Sequence, residues 1–307
     1  MDAKKIRTSL SRFAGWLGLT ICSLIIKVIP GKLLYSFARG IAGIAYLFAG
    51  KQRRIASESL TIAFQQTKSQ EELKQIARDC FTFMATWALE LMFLMDRPKE
   101  LMRCVNLKGQ EYLDQALAKK HGVILVSGHL GNFPLMMARL SLGGYPINGI
   151  MRQMRDTRVE KIFLEKRNRL GVKTIYSQPR KVCVDNSIRA LRNNELLFLP
   201  IDQNFGTAGV FVEFFGKKAA TATGPVVLAQ RTKAALIPCF IINNPDATHT
   251  IFFEPELKLQ QGSTDDETIV MNIQRLTTII EQYIRRFPAQ WGWIHRRWKS
   301  RPTEKNT

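Results

Sequence analysis

Gly122-Val-Ile-Leu-Val-Ser-Gly-His-Leu-Gly-Asn-Phe-Pro134 decides how this chain is read. Val123 to Val126 is an uninterrupted apolar run with no polar alternation, the pattern of a strand buried on both faces, and Gly128 ends it. His129 therefore falls where a strand gives way to a helix, the edge at which open α/β sheets place ligands. An imidazole there, beside the N–H groups of a helix N-terminus, can take a proton from a hydroxyl and steady a developing oxyanion. A histidine after a strand also serves structure alone, so the residue types leave both roles open.

Downstream the same grammar repeats. A helical stretch to about Leu142 is broken by Gly143-Gly144-Tyr145-Pro146, and Ile147 to Met151 reads as a strand. A charged helix from Val159 to Leu170, stopped at Gly171, leads to the strand Lys173–Tyr176. Val182 to Arg192 is helical, Glu195 to Ile201 a strand, Ala222 to Thr232 helical, and Ala235 to Ile242 and His249 to Phe253 are strands. Thr268 to Phe287 is a long amphipathic helix with Ile273, Leu276, Ile280 and Ile284 on one face. Strands alternating with helices predict an α/β fold, a mostly parallel or mixed sheet flanked by helices.

Upstream the pattern is helical. Phe81 to Met95 is apolar nearly all round, and Ser69 with Glu72 forms a capping box opening the helix that leads into it. Residues 1–50 read as a membrane-anchoring helical segment. Lys4, Lys5, Arg7 and Arg12 precede the apolar run Phe13–Ile26, and Gly40 to Gly50 is a second, shorter one. The first falls short of the roughly 20 residues that cross a bilayer, so a marginal span and helices lying in the interface are both open, with a buried amphipathic helix pair as the plain alternative. The organisation is then a membrane-associated segment (1–50) followed by one domain (51–307): helical over 51–100, an α/β core over 101–299, and a polar tail over 300–307.

The charge is far from balanced: 45 Lys and Arg against 25 Asp and Glu, a formal +20, which calls for an anionic partner. No helix-turn-helix, OB or RRM pattern accompanies it, which argues against nucleic acid. The five cysteines stand singly, as reduced thiols in a cytoplasmic compartment do.

Ser127-Gly-His-Leu-Gly-Asn-Phe resembles the signature of the lipid A lauroyl and myristoyl acyltransferases, within the lysophospholipid acyltransferase superfamily. Further blocks match in order: Arg53-Arg-Ile-Ala-Ser-Glu-Ser-Leu60, Arg152, Pro200-Ile-Asp-Gln203, Gly209 to Gly216, Ala220 to Pro225, and Gln290 to Trp298. The resemblance covers about residues 30–299. It implies transfer of a fatty acyl chain from an acyl-carrier protein thioester to a hydroxyl of a lipid A precursor or related glycolipid, at the cytoplasmic side of the bacterial inner membrane. It further implies no cofactor and no metal, with His129 as general base. Partners follow from it: the carrier protein, the anionic glycolipid and the inner membrane.

One position departs. The family carries a carboxylate where this chain has Pro134, which has neither acid nor N–H. Asp202 and Gln203 follow a strand and should emerge at the same edge as His129, so Asp202 is the candidate to orient it. Gly131, Asn132, Arg152, Gln203 and Phe211 are the expected substrate-binding residues: Arg152 for an anionic group, Phe211 for the acyl groove. Trp291, Trp293, Arg296, Arg297 and Trp298 suit a membrane interface or headgroup, or core packing. Two other readings stay open: a weakened or non-catalytic lipid-binding relative, and an acyltransferase acting on a lysophospholipid.

Overall fold

Strand and helix begin to alternate at Val105 in the computed structural model, which describes residues 3–302. Before that point come α1 (Ala3–Val28), α2 (Gly31–Phe48), α3 (Gly50–Phe64), α4 (Gln70–Leu94) and α5 (Pro98–Cys104). Then follow β1 (Val105–Lys108), α6 (Gln110–Ala118), β2 (Val123–Ser127), α7 (Phe133–Leu142), β3 (Ile147–Met151), α8 (Thr157–Arg169), β4 (Lys173–Tyr176), α9 (Arg180–Arg192) and β5 (Leu196–Pro200). The chain closes with β6 (Val210–Phe214), β7 (Lys217–Thr221), α10 (Gly224–Thr232), β8 (Ala235–Asn243), β9 (His249–Phe253) and α11 (Asp265–Arg286).

Seven strands form one sheet in the order β1-β9-β8-β2-β5-β3-β4, and β6 pairs with β7 as a separate hairpin. The sheet is mixed. Wherever a helix crosses between strands the pairing is parallel, whereas β8 and β9, joined by a short connection, are antiparallel. β2 sits in the interior of the sheet with both faces covered. Ile124 and Val126 pack into a core built from α3, α4, α10 and α11. Val123 and Leu125 pack into another, built from α2, the end of α4, α5, α6 and α7. That double covering is why the run has no polar alternation.

Two expectations need correcting. Between Pro98 and Gly122 the sequence reading placed no element, yet α5, β1 and α6 lie there, so the helical region runs to Cys104 and the α/β part starts at Val105. β1 is Val105-Asn-Leu-Lys108, with no apolar run to mark it.

The second concerns the anchor. No single described helix is long and apolar enough to cross a membrane; Leu33–Phe48 and Gly50–Phe64 reach that test only together, across a 93° bend. Instead one side of α1 and α2 is used for packing: Ile26, Leu34 and Ala38 are buried with Leu91 and Phe93 of α4. The other side stays apolar and exposed, with Leu17, Ile21, Leu24 and Val28 on α1 and Ile44, Leu47 and Phe48 on α2. The side chains of Lys4, Lys5, Arg7 and Arg12, and the end of the polar tail, lie outside the described residues. The capping box is present as read, Ser69 Oγ accepting the Glu72 N–H and Glu72 accepting the Ser69 N–H.

Candidate active site

β2 and β5 are parallel neighbours in register, with Ser127 opposite Pro200. His129 and Asp202 lie two residues beyond these paired positions, and the equal overhang brings them face to face. His129 Nδ1 is 2.7 Å from Asp202 Oδ1. The other carboxylate oxygen accepts the His129 backbone N–H at 2.7 Å and the Trp291 indole N–H at 2.6 Å. Gly128 leaves the room for this approach: a Cβ there would stand 3.2 Å from Asp202 Oδ2 and 3.1 Å from Ile280 Cγ2.

The electrostatics follow from the geometry. Burial pushes the Asp202 carboxyl up, but the imidazole opposite and the hydrogen bonds from His129 and Trp291 outweigh it, bringing it from the ordinary 3.8 to about 2. For His129 burial lowers the pKa, and the charge and hydrogen bond of Asp202 more than reverse that, leaving it above 6.5. An ionised Asp202 can only accept, so Nδ1 carries the proton and Nε2 keeps its lone pair. The Asp202 side chain is 1% exposed and that of His129 29%, so the acid is sealed while the imidazole is partly open to solvent. The ring rests edge-on against Phe133, which stacks on Phe198.

The other expected residues divide. Gly131 adopts φ +62°, and a Cβ there would fall 1.7 Å from the Ile241 carbonyl oxygen, so only glycine fits this turn. Asn132 is fully buried, its amide donating to the Trp87 carbonyl at 3.2 Å and towards Glu90 at 3.5 Å. It sits inside the protein. Gln203 is exposed beside Asp202, and its carbonyl accepts from Arg297 at 3.0 Å. Arg152 follows β3, which lies one strand further out beyond β5, and is exposed with no polar partner among the described residues. Phe211 is half-buried on β6, opposite Ala220. His129 and Asp202 thus touch and Gln203 adjoins them, while among the described residues no hydrogen bond or ion pair joins Arg152 or Phe211 to either.

The sequence reading missed what holds Asp202. Trp291 and Trp293 are buried, which is the packing alternative for this segment. Arg297 is buried as well, and it donates to the carbonyls of Gln203 and Ala220 and to Thr221 Oγ1. Burial lowers its pKa to about 10. His295 Nε2 accepts the Asn204 N–H at 3.1 Å. The segment after α11 therefore closes over the loop after β5. Nothing local marks this: Trp291 and Asp202 are 89 positions apart, and only the fold makes them neighbours.

A sealed carboxylate against a half-open imidazole at the edge of such a sheet is an arrangement chemically able to draw a proton from a hydroxyl. The chain belongs to the bacterial lipid A biosynthesis acyltransferase family, which matches residues 1–300. It is 25% identical over 302 residues to the lipid A biosynthesis lauroyltransferase of Escherichia coli, covering 94% of this chain and 92% of the relative. To the palmitoleoyltransferase of the same organism it is 26% identical, over 94% and 91%. A phosphatidylinositol mannoside acyltransferase of Mycobacterium tuberculosis is 27% identical over 197 residues, 62% of this chain and 58% of that protein.

Proposed function

We propose that this chain transfers a fatty acyl group from an acyl-carrier protein thioester to a hydroxyl of a lipid A precursor or related glycolipid, with His129 as general base. The single observation that carries this reading is the His129–Asp202 contact, which compensates for Pro134. Acyl transfer to a glycolipid is supported by the family; the base and the donor are our reading. His129 Nε2 takes the acceptor's hydroxyl proton as the oxygen attacks the thioester carbonyl. A C–O bond forms, the C–S bond breaks, and the proton passes from the imidazolium to the departing thiolate. Asp202 holds the ring in the required tautomer and stabilises the imidazolium formed in between.

The apolar side of α1 and α2 supports a place on the membrane surface. Its exposed residues recur about every four positions, so each helix offers one apolar stripe, flanked by exposed Lys27, Arg39, Lys51 and Arg54. Helices of that design lie in the interface plane. We place the site on the cytoplasmic side of the inner membrane, where the acyl-carrier thioester would be met.

The test is transfer by the purified chain from acyl-carrier protein to a lipid A precursor, read by mass spectrometry. Product from the natural chain and none from His129→Ala is the expected result. A His129→Ala variant that keeps most of the rate removes His129 from the mechanism. Glycolipid binding without product from either protein would favour a non-catalytic, lipid-binding role.

A further inference from the structure

A second carboxylate lies on the interior side of the His129 loop. Glu90, on α4, is 1% exposed. Its Oε1 accepts the Tyr35 hydroxyl at 2.7 Å. Its Oε2 accepts the Asn243 amide at 3.0 Å and faces the Asn132 amide at 3.5 Å. His249 Nε2 stands 3.7 Å away, and among the described residues neither lysine nor arginine lies within ion-pair reach. Burying a carboxylate without a full cation partner is costly, and its position needs a reason.

That reason is where the bonds lead. Asn243 and Gln290 are joined reciprocally: the Asn243 N–H donates to Gln290 Oε1 at 2.9 Å, and Gln290 Nε2 donates to the Asn243 carbonyl at 2.9 Å. The Gln290 carbonyl in turn accepts the Gly131 N–H at 3.1 Å. Gly131 and Asn132 are consecutive, so the chain of bonds from Glu90 through Asn243 and Gln290 to Gly131 returns through Asn132 to Glu90. The ring ties α4, the end of β8 and the segment after α11 to the turn that carries His129. The same segment continues directly into Trp291, the donor to Asp202.

We propose that Glu90 is a positioning residue for His129. Through its bond to Asn243, and from there through Gln290 to Gly131, with Asn132 facing it at 3.5 Å, it holds the turn at the height where the imidazole meets Asp202. A carboxyl group suits this place because its two oxygens can serve several donors at once: one accepts the Tyr35 hydroxyl, and the other accepts the Asn243 amide and faces that of Asn132. The proposal rests on His129 being the general base, and its test has a readout that does not need acyl transfer.

Three variants decide it. Glu90→Leu keeps the bulk and removes the acceptor. Glu90→Gln keeps an oxygen for both asparagine amides. Gln290→Met opens the ring without touching the buried acid. The measurements are kcat and KM for acyl transfer, and the titration midpoint of the His129 imidazole, followed by the NMR shift of its Cε1 and assigned by its loss in His129→Ala. Glu90→Leu should lower kcat by about 100-fold, the scale of a misplacement near 1 Å, with KM little changed. Its His129 midpoint should fall as the Asp202 contact loosens. Gln290→Met should shift both readouts the same way and less, and Glu90→Gln should recover most of the loss. A folded Glu90→Leu or Gln290→Met protein with a natural kcat and midpoint overturns the proposal. So does a loss of rate with the midpoint unmoved, which is what general destabilisation produces. If the natural chain shows no transfer, the general-base reading fails, and the His129 midpoint in the three variants still decides whether Glu90 holds the turn.

Discussion

Asp202 carries more of the site than its two oxygens suggest. It faces Nδ1 of His129, accepts the same residue's backbone N–H and is held by Trp291, so a change there acts on tautomer, charge and loop position together. Asp202→Asn should cost about four orders of magnitude in kcat, as loss of the orienting acid does in catalytic triads. The pH dependence has a definite sign. As the proposed base, His129 must be neutral to take a proton, and its pKa is raised above 6.5 by Asp202, so kcat/KM should fall as pH drops through that raised value. In Asp202→Asn burial is left as the main influence on His129, and the acidic limb should move to lower pH. A pH–rate profile of both proteins checks this, and an unmoved limb would break the link between the two residues. Trp291→Phe keeps one aromatic ring and removes the N–H together with the pyrrole half of a buried indole. It should cost at least about 1.5–3 kcal/mol, the range for a hydrogen bond to a charged group, with the vacated volume adding to it, seen as a lower urea midpoint with unchanged slope.

At the scale of elements, β2 does two jobs at once: it is the most enclosed strand, and it delivers His129 at its carboxyl end. Leu125 is fully buried between the sheet and α7, so Leu125→Ala should lower stability by about 2–5 kcal/mol, measured by denaturant unfolding. Ser69→Ala at the start of α4 offers a contrast. It removes one side of a solvent-exposed capping box and should cost only about 1 kcal/mol, leaving kcat unchanged. Equal losses from the two changes would show that local helix termini, rather than the doubly covered strand, limit unfolding. α4 combines roles as well, since it packs under α2 and also supplies Glu90 beneath the His129 turn.

For the whole molecule, the proposed attachment to a lipid surface draws on two features, a +20 charge and an apolar stripe on α1 and α2, and so has a hydrophobic and an electrostatic part to test. Each basic residue near an anionic surface contributes about 1 kcal/mol, and salt screens that contribution. Vesicle binding should weaken as salt rises for anionic lipid and change little for neutral lipid. Leu24→Glu with Leu47→Glu should reduce binding to both by placing charge in the stripe, while kcat on a detergent-dispersed acceptor stays the same because neither residue adjoins the site. Loss of vesicle binding only at high salt, with the double variant indistinguishable from the natural chain, would leave the stripe without a role.

Much of this molecule is written locally. The alternation of apolar runs with helical periods determined an α/β sheet, because a strand covered on both faces must be apolar throughout and an amphipathic helix must repeat near 3.6 residues. The Ser127–Phe133 motif marked His129, and the capping box marked the start of α4. Other elements were not legible: β1, whose Val105-Asn-Leu-Lys108 has no apolar run, was missed although the equally short β4 was read, and the apolar stretches of α1 and α2 read alike whether one side packs on α4 or both face lipid. The partners of His129 depended on tertiary structure to differing degrees. Asp202 could be suspected from its place after a strand, but the 2.7 Å contact exists because β2 and β5 pair with Ser127 opposite Pro200, and register belongs to the sheet. Trp291, Arg297 and Glu90 gave no such local sign. Trp291 and Arg297 fit an interface or core packing equally well, and Glu90 lies in a run that is apolar nearly all round, so burial was open but no partner was named; a polar group taken out of water must find its partner wherever the chain has brought one.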